Sequence, residues 1–179
     1  MPLSAISLAR LSECHPLLAQ RAKQVSIQFE VDFPNYTIQV SQGLRSWNYQ
    51  AALYAQGRQP LNVVNELRSA LRLAPITAED NHEVTDAQPG QSNHNYGYAC
   101  DWDIVDLSNN TLDWNDKDAQ WLRLESLAAP NGLRSGSCFK KQDNPHMELQ
   151  EVPEAPPTES QYILRNQGLA AVWQEAGLS

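Results

Sequence analysis

The sequence predicts one α+β domain. Stretches with amphipathic helical spacing, segments with the period-two alternation of half-buried strands, and the absence of a regular strand-helix repeat together point away from a parallel α/β sheet. A chain of 179 residues suits a single core, since domains typically run to about 100–200 residues. No internal repeat is visible.

Pro16 fits the first turn of a helix, and Leu18, Ala22, Val25 and Phe29 follow on one face, which predicts a helix over 16–30. Tyr36, Ile38 and Val40 alternate with Thr37 and Gln39 and read as a strand that runs into Gly43-Leu44-Arg45-Ser46. Ser46 is a candidate N-cap for a helix from Asn48 to Gln56, closed by Gly57. Residues 59–91 read as a loop-rich excursion: a helical patch from Val63 to Leu73, Pro75, an acidic run and Pro89-Gly90. Over 98–105, Ala99, Asp101, Asp103 and Val105 share one strand face, and Tyr98, Cys100, Trp102 and Ile104 the other. Asn115 or Asp116 can cap a helix from Lys117 to Ala129, stopped by Pro130 and Gly132. A short strand over 146–150, a Pro-rich connector over 152–157 and a final helix from Gln161 to Ala176 complete the chain. The expected division is a catalytic unit over 1–150 and a connector with a C-terminal helix over 151–179.

Apolar residues make up 41% and charged residues 19%, an ordinary globular balance. The formal charge of -8 and a pI near 4.9 argue against nucleic acid or an anionic membrane as a partner, since both require a basic face. Cys14, Cys100 and Cys138 are odd in number and irregularly spaced, so neither a disulfide framework nor a CxxC zinc site is readable, and reduced thiols are expected. The first residues lack a charged segment followed by a long apolar run, and no later stretch reaches the ~18 apolar residues of a membrane span. The expectation is a monomer, cytoplasmic when synthesised, that inserts in no membrane.

The most informative stretch is Ser92-Asn93-His94-Asn95-Tyr96-Gly97-Tyr98-Ala99-Cys100-Asp101. Its histidine falls in a turn and its aspartate on the following strand, and a glycine at 97 permits the sharp turn that aims both at one point. Two donors do not make a zinc site, and Asp143-Asn144-Pro145-His146 supplies a third together with a further carboxylate. A catalytic zinc keeps three protein ligands and an open position, beside which a non-ligating carboxylate accepts a proton from water. His94, Asp101 and His146 fit the ligand roles, and Asp143 fits the base. Asp103 shares the Asp101 face and Glu148 the His146 face, which makes both rivals; outer positions are expected for them. His15 and His82 have no motif around them and read as solvated or capping residues. The tryptophans, Trp102, Trp114 and Trp121 among them, read as core.

These residues resemble the D-Ala-D-Ala carboxypeptidase and L-Ala-D-Glu endopeptidase family of zinc peptidases, which includes VanY-like enzymes and many phage endolysins. The pattern S-x-H-x-x-G-x-A-x-D is matched by Ser92, His94, Gly97, Ala99 and Asp101. Gly43-Leu44-Arg45-Ser46 with the block from Gln50 to Arg58, and the block from Asp143 to Leu149, are similar to the family in the same order. The resemblance implies the small α+β fold shared with the Hedgehog signalling domain, with an antiparallel sheet carrying zinc and helices flanking it. It implies zinc on His94, Asp101 and His146, Asp143 as base, Arg45 as a catalytic group that steadies the developing oxyanion, and Ser92 as a substrate contact or a brace for the metal loop. Its substrate is the stem peptide of peptidoglycan, reached after release from the cytoplasm. The lack of a leader and the Gln50–Arg58 block resemble the endolysin branch, which cuts L-alanyl-D-glutamate. A D-Ala-D-Ala carboxypeptidase and a non-catalytic zinc-binding wall module are the alternatives. Where many relatives carry a W-G-G-x-W-like run, this chain has Arg134-Ser135-Gly136-Ser137-Cys138.

Overall fold

The computed structural model describes residues 3–178. Helix α2 (Pro16–Asp32) buries Leu18, Ala22, Val25 and Phe29, the stripe read from the sequence, against the sheet. Its N-cap is His15, whose Nδ1 accepts from the Leu17 N–H at 3.2 Å. The preceding helix α1 (Ala5–Ser12) has no counterpart in the sequence reading. It is short, and its purpose is tertiary: Ser7 Oγ accepts from Val40 N–H at 3.0 Å and Arg10 donates to Val40 O at 2.6 Å, which covers an otherwise open strand edge.

The sheet contains β1 (Tyr36–Gln42), β2 (Ala99–Asp106), β3 (Thr111–Asp113), β4 (Leu133–Ser135) and β5 (His146–Leu149). Its order is β1-β2-β5-β4, with β3 also on β2, and every pairing is antiparallel. The α+β class and the antiparallel sheet are therefore as expected. Cys100, Trp102 and Ile104 enter the core from β2, where they meet Ile38 and Val40 of β1 and Met147 and Leu149 of β5. One register detail positions the chemistry. Asp101 lies directly opposite His146, and Ala99 opposite Glu148, so these four side chains stand on one face of the β2–β5 pair.

Helix α3 (Trp47–Ala55) starts at Ser46, whose Oγ accepts from Tyr49 N–H at 3.1 Å, and α4 (Leu61–Ala70) follows. The remaining excursion carries little regular structure but is stitched down: Asn65 holds both the N–H and the carbonyl of Ile76, and Arg58 donates to Thr85 O at 2.9 Å. Helix α5 (Ala119–Ala128) begins later than expected, because Asn115 donates to Asp118 Oδ1 at 2.6 Å in a local turn instead of capping. The expected final helix is two, α6 (Thr158–Gln167) and α7 (Leu169–Ala176), broken at Gly168, whose φ of +87° ends the first. Val172 is buried and Ile163, Leu164 and Trp173 pack against the core, so the tail lies on the domain. Among the described residues no helix is long and apolar enough to cross a membrane.

Candidate metal centre

Three elements deliver the site. A 3-10 turn, Asn93–Tyr96, is capped by Ser92 Oγ accepting from His94 N–H at 3.3 Å and closed by Gly97 at φ +66°. A side chain at 97 would be strained by that φ and would press on the His15 N–H and Cys14 Cα. Strand β2 brings Asp101, and β5 brings His146 opposite it.

The donors converge. His94 Nε2 lies 3.1 Å from Asp101 Oδ1 and 3.2 Å from His146 Nδ1, and His146 Nδ1 lies 3.3 Å from Asp101 Oδ1. Among the described residues these three form the one group of metal-binding side chains with mutually close donor atoms; Asp103 is not in it and accepts from Gln39 at 3.3 Å instead. The triangle fits a tetrahedral zinc, since bonds of about 2.0 Å imply ligand-to-ligand edges of about 3.3 Å. The outward ring nitrogens are already engaged: His94 Nδ1 with Gly43 O at 2.9 Å, and His146 Nε2 with Glu148 Oε2 at 3.1 Å. Hydrogens on those outward nitrogens leave two lone pairs and a carboxylate aimed at one point, an arrangement that calls for a cation.

The electrostatics agree. Burial alone would raise the Asp101 pKa, but the two histidines hold it well below the usual carboxylate range. Burial lowers the His94 pKa, with Asp101 opposing. Burial would also lower His146, yet its bonds to Asp101 and Glu148 lift it to about 9.

Asp143 opens to the same cleft, a space of about 640 Å³. Its carboxylate accepts no hydrogen bond from the described residues, and partial desolvation, then the charge of Asp101, push its pKa up. The loop is fixed from behind: Asp143 N–H donates to Gly136 O and His146 N–H to Asp143 O, both at 3.0 Å. Gly136 is needed for this fit, because a Cβ there would lie 2.2 Å from Asp143 O. Arg45 donates to Gln50 Oε1 at 3.0 Å and Asp101 Oδ2 at 3.4 Å, and its Nε is buried without a partner. Gln50 in turn donates to Ala87 O at 2.8 Å, which ties the excursion to Arg45.

Several residues that matter here carried no signal of their own in the sequence. Gln50 lies in a quoted block without an assigned role, and Asn95, which donates to Arg45 O at 2.9 Å, sits inside the metal motif unremarked. Arg134 and Asn93 are known only through contact with Glu148. Of the tryptophans, Trp102 and Trp121 are core, but Trp114 is 63% exposed and lines the cleft, contrary to expectation. His15 caps, as one of its two readings held, but is buried, against Trp173 and Tyr98. The thiols of Cys14 and Cys100 are buried and their pKa values raised by that burial, Cys14 to about 11, and neither sulfur joins the three converging donors.

A triad of two histidines and an aspartate, one on the turn and two on the sheet, open to a cleft with a free carboxylate beside it, defines a candidate hydrolytic metal centre. The chain belongs to the VanY family, described as D-alanyl-D-alanine carboxypeptidase, which it matches over residues 17–136. It is similar to the peptidoglycan L-alanyl-D-glutamate endopeptidase CwlK of Bacillus subtilis (strain 168), with 25% identity over 146 residues, 77% of this chain and 74% of that protein. It is also similar to the crystal structure of the Serratia marcescens L-Ala D-Glu endopeptidase ChiX, with 19% identity, a TM-score of 0.49 and coverage of 81% and 86% of the two chains.

Proposed function

We propose that this protein is a zinc-dependent peptidase of the peptidoglycan stem peptide, with residues 1–150 as its catalytic unit. The observation that carries the reading is the convergence of His94 Nε2, Asp101 Oδ1 and His146 Nδ1 at tetrahedral spacing in a cleft that Asp143 also lines. These three residues would hold the zinc, which when bound supplies a Lewis acid and lowers the pKa of water to about 7.

The chain's own groups do the rest. Asp143, whose carboxylate accepts no hydrogen bond from the described residues and has a raised pKa, takes a proton from the attacking water and later returns it to the leaving amine. Arg45 is held by Gln50 and Asp101 through two of its five N–H groups, which leaves donors for the oxyanion that develops on the scissile carbonyl. Ser92 lines the cleft as well as capping the metal turn, so a substrate contact there is compatible with its bracing role. No protein nucleophile is required.

L-Ala-D-Glu is the preferred bond, supported by the likeness to the endopeptidase CwlK across three quarters of both chains. D-Ala-D-Ala carboxypeptidase action is the second reading, favoured by the family's description. Mass spectrometry of products from zinc-loaded protein and peptidoglycan separates them. The first reading yields a new N-terminal D-Glu, the second free D-Ala; new reducing ends would overturn both.

A further inference from the structure

Glu148 is almost completely buried beneath the cleft floor, and its two oxygens have different partners. Oε1 accepts from Arg134, with Nε at 2.8 Å. Oε2 accepts from Asn93 Nδ2 at 2.8 Å and faces His146 Nε2 at 3.1 Å. We propose that Glu148 is a positioning residue that keeps the ring hydrogen of His146 on Nε2, so that Nδ1 faces the metal cluster with its lone pair, and that Arg134 is what makes a carboxylate necessary at 148. The proposal rests on the metal-centre reading above.

A carboxylate only accepts, so the His146 nitrogen opposite Glu148 must carry the hydrogen, and Nδ1 is left with its lone pair toward His94 and Asp101. The geometry is written into the sheet. His146 and Glu148 are two apart on β5 and share a face, and β4 places Arg134 directly opposite Glu148. Both supporting donors are anchored elsewhere as well: Arg134 donates to Val152 O at 2.8 Å and Asn93 to Pro153 O at 2.9 Å. They are therefore fixed behind the carboxylate and constrain any side chain that replaces it. The same bonds tie the connector to the metal site.

Consider glutamine at 148. It has one acceptor oxygen and one donor amide, and the doubly donating guanidinium of Arg134 claims the oxygen. The amide then faces His146 Nε2, which must accept, and the ring hydrogen moves to Nδ1, into the cluster. Removing the Arg134 donors frees the glutamine to turn its oxygen toward Asn93 and His146 and restores the ligand nitrogen.

The test measures zinc affinity of the full chain by competition with a chromophoric chelator, with thermal melts confirming that each metal-free variant folds. Glu148→Gln should weaken zinc binding by roughly 10–100-fold. Glu148→Asp keeps an acceptor-only group, should lose less, and serves as the independent arm if the glutamine variant does not fold. Adding Arg134→Met to Glu148→Gln should recover most of the loss, which a merely structural role would not do. Wild-type affinity in Glu148→Gln, a double variant as weak as the single one, or a Glu148→Asp loss as large as that of His146→Ala would overturn the positioning role while leaving the metal centre standing. Absence of zinc binding in the wild type, or zinc binding unaffected by His146→Ala, would overturn the metal-centre reading and this proposal with it.

Discussion

On the floor of the cleft, His94, Asp101 and His146 are set by strand register and by buried partners such as Gly43 O and Glu148. On the rim, Asp86 and Lys141 meet across the cleft in an exposed pair at 2.9 Å, and Trp114 stands open to solvent. The floor leaves its metal-facing atoms little freedom, whereas the rim is held by exposed contacts that solvent screens. Chemistry is thus invested in the rigid layer and shape in the soft one, and substitutions in the two layers should differ in kind.

The largest contrast lies between histidines. Replacing His94 or His146 with Ala should abolish both zinc content and hydrolysis, while His82→Ala, on the exposed excursion, should alter neither. Metal analysis beside a peptidoglycan digestion assay makes the comparison, and zinc loss from His82→Ala would break it.

Gly136→Ala strikes where floor and rim join. The added Cβ collides with the backbone that carries Asp143 and comes within 2.9 Å of the His146 Cβ, so activity should fall by roughly 10²-fold or more, the order expected for a displacement of about 1 Å, with zinc affinity weakened as well. Unchanged kinetics would show that the Asp143 loop is not held from this point.

The smallest effect lies behind the floor, at His15. Its burial lowers the folded-state pKa, and its neutral Nδ1 caps α2. A depressed histidine pKa means that the unfolded chain binds the proton more readily. The contribution to stability is therefore complete above the unfolded value of about 6.5 and declines as pH falls below it, until the folded value is passed. His15→Asn can cap without titrating, so the stability gap between wild type and variant should narrow on acidification. A gap independent of pH would mean that His15 does not titrate in this range.

What the sequence made legible follows the same division. The α2 stripe and β2 with its polar and packed faces were readable because each is local periodicity, and the pairs His94 with Asp101 and Asp143 with His146 because each is a short spacing; that the two pairs meet is the work of the β2–β5 register. Helix α1 was not, because its reason to exist is the β1 edge, which no local pattern announces. Arg134 and Asn93 reach Glu148 only through strand pairing and a turn 55 residues away. Glu148 was legible as a neighbour of His146 and a rival for Asp143, but its burial and three partners remove it from contact with water. Trp114 escaped because exposure is a property of the finished surface.

In the proposed function Asp143 moves the proton while His94, Asp101 and His146 hold the metal. Asp143→Asn is nearly isosteric and leaves those three residues intact, so zinc content and melting temperature should match wild type while the hydrolysis rate falls by roughly 10²–10⁴-fold. Measuring zinc and rate on the same preparation decides the matter: loss of the metal would make Asp143 a ligand, and near-full activity with zinc retained would contradict its role as the base.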